Sequence, residues 1–512
     1  MVEEGDNKRI AKNTLLLYGR SLISMVVGLY TSRIILEALG IPDFGLYGAV
    51  GSIVSMFTIL NGVLSAGTSR FLTFEIGRED KNKLNKTFSA AFLMHAIMAV
   101  VLFILLETVG LWFLNHKLNI PEGRTFAANV VYQFSILTCV LGLTQVPYSA
   151  VIIAREKMSI YAYVGLLEVL FKLALVALLL YVPFKDNLIA YAAICAAWSI
   201  GLQIFYRCYC RKNFEEAHLH IERDRSIYKD MLSYSMWDLI GQFCATGNSQ
   251  GRNILLNMFF GVTLNAANYV ANQVSAAVTM LNNNFTTSVQ PQIVKSYARG
   301  DLKRFFELIY STGKFSFFLI YILALPIALE SPYILSLWLK EVPNHTLIFI
   351  WVTMIVLLLR AFANPIVRGI HATGKIKFLN FTSGVSSVAL SLPLTYILFK
   401  LGCPFWSMLV VQLFVTIICN ILEVVSLHRN VHFGYWDYFK KVYIRSFLVA
   451  ILSAIIPVFL ILILPSNFLR MLLVVSVSLM ISSITIYFIG LDKETQLMVT
   501  DFIKKKVRRD RL

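Results

Sequence analysis

Charge is scarce in this sequence: 15% of its 512 residues are Asp, Glu, Lys or Arg, and acids are fewer than bases, 29 against 46. Long polar stretches are missing as well. The longest internal one, RKNFEEAHLHIERDRS from Arg211, leaves no room for a soluble catalytic domain. Period-two alternation of apolar and polar residues is absent, which argues against a membrane β-barrel. Paired metal-ligand spacings are absent too. Cys139, Cys195, Cys244, Cys403 and Cys419 fall inside apolar runs and read as small buried hydrophobes, while Cys208 and Cys210 lack the second ligand pair of a zinc site. No metal and no cofactor is therefore expected. A cleavable signal peptide is not evident either. The polar opening MVEEGDNKRIAKN runs straight into a full-length apolar segment, so the first helix is expected to act as its own insertion signal.

What is present is apolar, 57% of the chain, in runs of the roughly 20 residues that cross a bilayer as helix. Lipid offers the backbone no hydrogen bonds, so the expectation is an all-α membrane protein. Fourteen spans are predicted, centred near Val26, Ser55, Val100, Leu141, Leu170, Cys195, Phe243, Ser275, Ile320, Met354, Val388, Phe414, Ile455 and Val475. With the N-terminus inside, the inner loops and termini carry 33 of the 46 basic residues and the outer loops five. Both termini are then expected in the cytoplasm. The net charge of +17 invites a nucleic-acid partner, but the basic residues line one membrane face, so none is expected.

A loose repeat organises the chain. The stretch SRIILEALGIPDFGLYGAVGSIVSM from Ser32 returns as GRNILLNMFFGVTLNAANYVANQVSAAVTM from Gly251, with Arg33 matching Arg252 and Tyr47 matching Tyr269 at offsets of 219 and 222 residues. The domains expected are an N-terminal lobe at 1–210, a cytoplasmic linker at 211–228, a C-terminal lobe at 229–428, two further helices at 429–492 and a basic tail at 493–512 suited to anionic headgroups. Each lobe holds an even number of six helices. A parallel pseudo-twofold about the membrane normal is thus the natural arrangement.

The pattern Ser32, Arg33, Ile34, Ile35, Leu36, then Leu39, Gly40, then Asp43, Phe44, Gly45, Leu46 and Tyr47, followed by Gly67, Thr68, Ser69 and Arg70, resembles bacterial polysaccharide-biosynthesis transporters. These are the O-antigen flippases of the multidrug/oligosaccharidyl-lipid/polysaccharide exporter superfamily. The resemblance implies translocation of an undecaprenyl-pyrophosphate-linked oligosaccharide across the bacterial inner membrane by alternating access, not catalysis. It implies as partners that lipid-linked glycan, membrane lipids and glycan polymerase or assembly proteins. Sugar-contacting residues are not fixed by any motif of the family.

An ionisable group at membrane depth is costly and ordinarily faces a cavity or a partner. Eight cations fall in the predicted spans: Arg20, Arg33, Lys172, Arg252, Lys314, Arg360, Arg445 and Arg470. A pyrophosphate crossing a low-dielectric region needs such partners. Arg33 and Arg252 hold equivalent places in the two lobes, facing either a central cleft or the ends of their own helices as caps. Arg20 is placed to meet Asp238 of the other lobe as a gate, against the plainer reading of a permanent structural pair or two unrelated polar positions. Lys172 follows Glu168 by four residues, the spacing of self-neutralisation. Lys314 and Arg360 have no partner within four residues and are expected unpaired in the cavity, while Arg445 and Arg470 are expected to snorkel. Asp238, Glu107 and His95 are candidates for ion coupling, against the plainer role of interhelical contacts. Asn248, Gln250, Asn253 and Asn283 are candidate glycan contacts, or else packing amides.

Three rival functions remain at this point. A peptidoglycan-precursor flippase fits the span count, but the Arg33 to Tyr47 pattern lies nearer the polysaccharide branch. A drug or cation antiporter would want carboxylates dominating its cavity. A membrane polymerase or ligase would want a long outer loop, and the outer loops here are short.

Overall fold

The structure, a computed structural model, describes residues 58–500 apart from 117–119, 121–122, 183, 221–223, 340–341, 494 and 498–499. Before residue 58 it describes 13–14, 16–24, 27, 31, 34–35, 38–40, 43, 46–47, 50–51 and 54. Helix follows helix with short turns, and no strand occurs among the described residues. We number the helices α1 Thr58–Arg78, α2 Lys81–His116, α3 Thr125–Ala154, α4 Met158–Tyr181, α5 Asn187–Asn213, α6 Arg225–Phe260 and α7 Val262–Ala298. Then come α8 Leu302–Trp338, α9 Thr346–Thr373, α10 Lys377–Lys400, α11 Trp406–Val431, α12 Tyr435–Ile463 and α13 Phe468–Gly490.

Helix ends follow from local chemistry. Asp80 caps α2 through the Lys83 N–H at 3.0 Å, Asp186 caps α5 through Leu188 and Ile189, and Asn467 caps α13 through Arg470 at 2.7 Å. Gly261, at a φ of 78° that suits only glycine well, makes the one-residue turn between α6 and α7.

The burial pattern is inverted relative to a water-soluble bundle. On α12 and α13 the enclosed positions include Ser446, Ser453, Ser478 and Ser482, whereas Ile451, Phe459, Leu462 and Leu469 point outward. Small hydroxyl residues let helices approach closely, and apolar residues outside are stable only where the solvent is hydrocarbon. Ten of the described helices are long and apolar enough to cross a membrane. They correspond to ten of the fourteen expected spans. Two others fall on α6 and α7, which at 36 and 37 residues are long enough but too rich in amides to meet the same apolarity. The first two expected spans fall partly outside the described residues.

The chain divides into two units. Unit 1 comprises Met1–Gln242 with Gln290–Asp301, and unit 2 comprises Phe243–Val289 with Leu302–Leu512. The division runs through the interiors of α6 and α7, so that both ends of this helical hairpin belong to unit 1. In unit 1, α3 is central and packs against α1, α2 and α5. Residues 211–220, expected to be a linker, are fastened to this unit: Glu216 is buried and accepts from Arg155 Nε at 2.7 Å, and the His220 N–H donates to Ser89 Oγ. In unit 2, α8 is central, against α9, α12 and α13. Tyr438 anchors the start of α12 by donating to the Phe362 carbonyl of α9 at 2.6 Å, beside Gly313 of α8.

Candidate functional site

The membrane cations sort by partner. In unit 2, Lys314 of α8 pairs with Asp492 just beyond α13, and the same carboxylate takes Arg445 of α12. Arg360 of α9 donates to Glu423 of α11 at 2.8 and 3.0 Å and to Asn420 Oδ1 at 3.0 Å, while Ser383 of α10 donates to the same carboxylate at 3.0 Å. Lys314 and Arg360 are therefore not the unpaired cations that their sequence neighbourhoods predict. Arg470 does not snorkel: it is bound through two nitrogens to Glu330, whose side chain has no exposed surface. A buried charge is tolerable when a counter-charge and hydrogen bonds satisfy it, and each of these has both. In unit 1, Lys172 meets Glu168 at 3.1 Å.

Arg252 of α6 is different. It is half-buried, its Nε is closed off from solvent, and among the described residues nothing accepts from it. Asn248, one turn earlier on the same face, likewise has an enclosed Oδ1 without a partner. Asn253 accepts from Asn268 of α7 at 2.7 Å and reaches Gln250 at 3.4 Å, which ties the two helices by amides. Along α7, Asn272, Ser275, Ala276, Thr279, Met280, Asn283 and Asn284 line an open concavity of about 440 Å³. Their spacing of three and four residues makes this one helix face, carrying amides and hydroxyls and no acid. Unit 2 thus gathers Arg252, Asn248, Gln250 and Asn253 on α6 and sets Asn283 on the neighbouring α7 face.

The other candidates lie elsewhere. Arg33 is outside the described residues. Arg20 lies against Gly165, where an added Cβ would stand 2.2 Å from its Nε. Asp238 is buried on α6 within unit 1. Glu107 sits on a wide turn of α2 and accepts from Gln133 at 3.2 Å. His95 is buried, its Nδ1 sharing a hydrogen bond of 2.8 Å with the Ala91 carbonyl and its Nε2 enclosed without a partner. Among the described residues no cluster of three or more His, Cys, Asp or Glu could hold a metal ion.

Sequence reasoning missed the carboxylates Glu330 and Glu423, although each sits in an apolar helix and carries the same signal as the cations. It also left Asp43 without a role. Arg124, just before α3, binds Asp43 through Nε at 2.8 Å and through NH2, and Asp186 through NH1 at 2.6 Å. Burial raises the Asp186 carboxyl, but the bonds from Arg124 and the α5 N–H groups outweigh it and hold it below the ordinary value.

This bundle has the fold of the MATE transporters of the multidrug/oligosaccharidyl-lipid/polysaccharide superfamily. A MATE transporter of Vibrio cholerae, VcmN in its bent form, superposes with a TM-score of 0.69 at 17% identity over 84% of this chain and 98% of that one. A MATE in complex with MaD3S gives 0.68 at 14% identity over 83% and 95%, and an outward-facing multidrug-resistance MATE gives 0.65 at 15% over 85% and 96%. A family model described as polysaccharide biosynthesis protein matches residues 10–297, more than half of the sequence. The chain belongs to that family. No curated protein matches it. Its apolar helices and this fold together make it a multi-pass membrane protein.

Proposed function

We propose that the protein is a flippase that carries an undecaprenyl-pyrophosphate-linked oligosaccharide from the cytoplasmic to the outer leaflet of a bacterial inner membrane by alternating access. The observation that carries this reading is Arg252: a guanidinium with an enclosed, unsatisfied donor on α6, whose hairpin partner α7 presents an amide-lined face free of carboxylate. A buried donor left unmade costs free energy, and an anion that arrives to satisfy it recovers that cost. Phosphate oxygens suit the planar fork of the guanidinium, and neighbouring amides and hydroxyls suit sugar hydroxyls. Arg33 is its counterpart by the sequence repeat, and Arg20 the third cation of the path. Lys314 and Arg360, each held by a carboxylate of another segment, serve chiefly to lock helices together, and Lys172 is neutralised by Glu168 within α4.

The basic inner loops give both termini to the cytoplasm, the polyprenyl tail stays in lipid along α12 and α13, and polymerase or assembly proteins take the product. A neutral amide face favours a glycan over the cations of a drug antiporter. The test is single replacement of Arg252 by Ala and by Lys, with surface glycan and accumulated lipid-linked precursor measured at matched protein level. Loss of export in R252A with partial recovery in R252K is expected, and wild-type export by R252A refutes the reading.

A further inference from the structure

The end of α7 is held in an unusual way. Residues 290–301 belong to unit 1 and the rest of the helix to unit 2, and the changeover falls one residue before Pro291. Proline has no N–H for the carbonyl four residues back, so the helix is weakest where it passes from one unit to the other. Beyond that point Glu156, in the turn between α3 and α4, grips the segment. Its carboxylate has no exposed surface, accepts Lys295 Nζ at 2.6 Å and takes Gln292 Nε2 at 2.9 and 2.8 Å. Gly77 of α1 comes so close that a Cβ there would stand 2.9 Å from Lys295 Cα and 2.8 Å from Ala298 Cβ. At the exposed edge Arg299 faces Glu79 at 3.5 Å.

The backbone at Glu156 adds a second, independent observation. Its φ is 58°, a left-handed conformation that glycine would take without strain. Strain of this kind persists where the side chain is needed, and here the carboxylate is what glycine lacks.

We propose that Glu156 is the catch of a conformational latch. Engaged with Gln292 and Lys295, it holds the last turns of α7 in unit 1 and fixes one of the two transport states; disengaged, it lets them pivot at Pro291 into the other. The inference rests on the alternating-access reading above. Gln292 and Lys295 lie one turn apart on one short segment, so a single displacement of that segment frees both from the carboxylate. Glu156 and Lys295 stand at a turn and near a helix end, so released charges reach water rather than lipid.

The exposed pair Glu79 and Arg299 offers a lock that leaves the buried catch untouched. In the full chain, E79C/R299C joined by a short reducible cross-linker is expected to lose export and to regain it on reduction, while either single variant treated alike exports normally. In an S296C background, where the introduced thiol is buried on the gripped segment, E156Q and E156G are both expected to raise its labelling by an impermeant maleimide from the cytoplasmic side severalfold. E156G relaxes the turn, so it keeps protein level while losing the catch. Wild-type export by the cross-linked protein, or unchanged labelling in both Glu156 variants, overturns the latch. Labelling needs no substrate. If it responds as stated while reconstituted wild-type protein moves no lipid-linked oligosaccharide, the substrate reading falls and the latch stands.

Discussion

Arg470 of α13 donates to Glu330 of α8 through Nε at 3.0 Å and NH2 at 3.1 Å, and the carboxylate so held is wholly enclosed. Removing the arginine strands a charge in a low-dielectric interior, whereas removing both leaves only packing to replace. R470A is therefore expected to lower stability by about 3–5 kcal/mol, and E330L/R470L to restore most of it. Thermal unfolding of the detergent-purified variants measures the difference.

Arg252 and Arg360 should respond oppositely to truncation. R252A removes a group that binds nothing among the described residues, so stability is expected to shift by about 0.5 kcal/mol or less. A charged hydrogen bond to substrate is worth about 1.5–3 kcal/mol, so export should fall roughly tenfold or more. R360A instead leaves Glu423 buried without its guanidinium and is expected to lose about 3–5 kcal/mol of stability. Melting temperature and export, read on the same preparations, separate the two.

The Arg124 bridge predicts an acid-sensitive tie. Asp186 has a lower carboxyl pKa in the folded chain than its ordinary value, through Arg124 and the α5 N–H groups acting against burial. Its contribution is complete above the unfolded value of about 3.9 and is lost as pH falls through the lower folded value. Wild-type stability should drop more steeply below about pH 4 than that of D186N, which lacks the titrating group, while D186N is the weaker protein at neutral pH. Parallel slopes would refute the assignment.

Two glycines near α3 make a matched pair. A Cβ at Gly110 would lie 2.1 Å from the Tyr132 hydroxyl, which is buried and donates to the Leu106 carbonyl at 2.8 Å. G110A is expected to cost about 1–3 kcal/mol, relieved in part by Y132F. At Gly142 a Cβ meets nothing within 4 Å, so G142A should be neutral or stabilising by about 0.5–1 kcal/mol. Chemical unfolding of the three variants decides it.

Apolar length and loop charge are local quantities, and they made the helical membrane fold legible without coordinates. The family motif around Asp43 was legible as a pattern, but its physical role waited on Arg124, 81 residues away. The same limit explains Lys314, whose partner Asp492 lies 178 residues on, and Arg360, whose partner Glu423 lies 63 on. A search confined to one helical turn cannot see either. Asn248, Arg252 and Asn253 stood out because amides and a guanidinium crowd one otherwise apolar hairpin, a signal that needs no long-range knowledge. Glu156 gave no sequence signal, since a polar turn between two spans is where an acid is unremarkable.

The α12–α13 pair is riveted to α8 at two depths, through Lys314 and through Glu330, sixteen residues further along the same helix. That fixes what evolution can prune. Shortening the chain to end before Tyr435 would leave an ammonium and a carboxylate bare on α8, so any trimmed descendant must lose both charges along with the two helices.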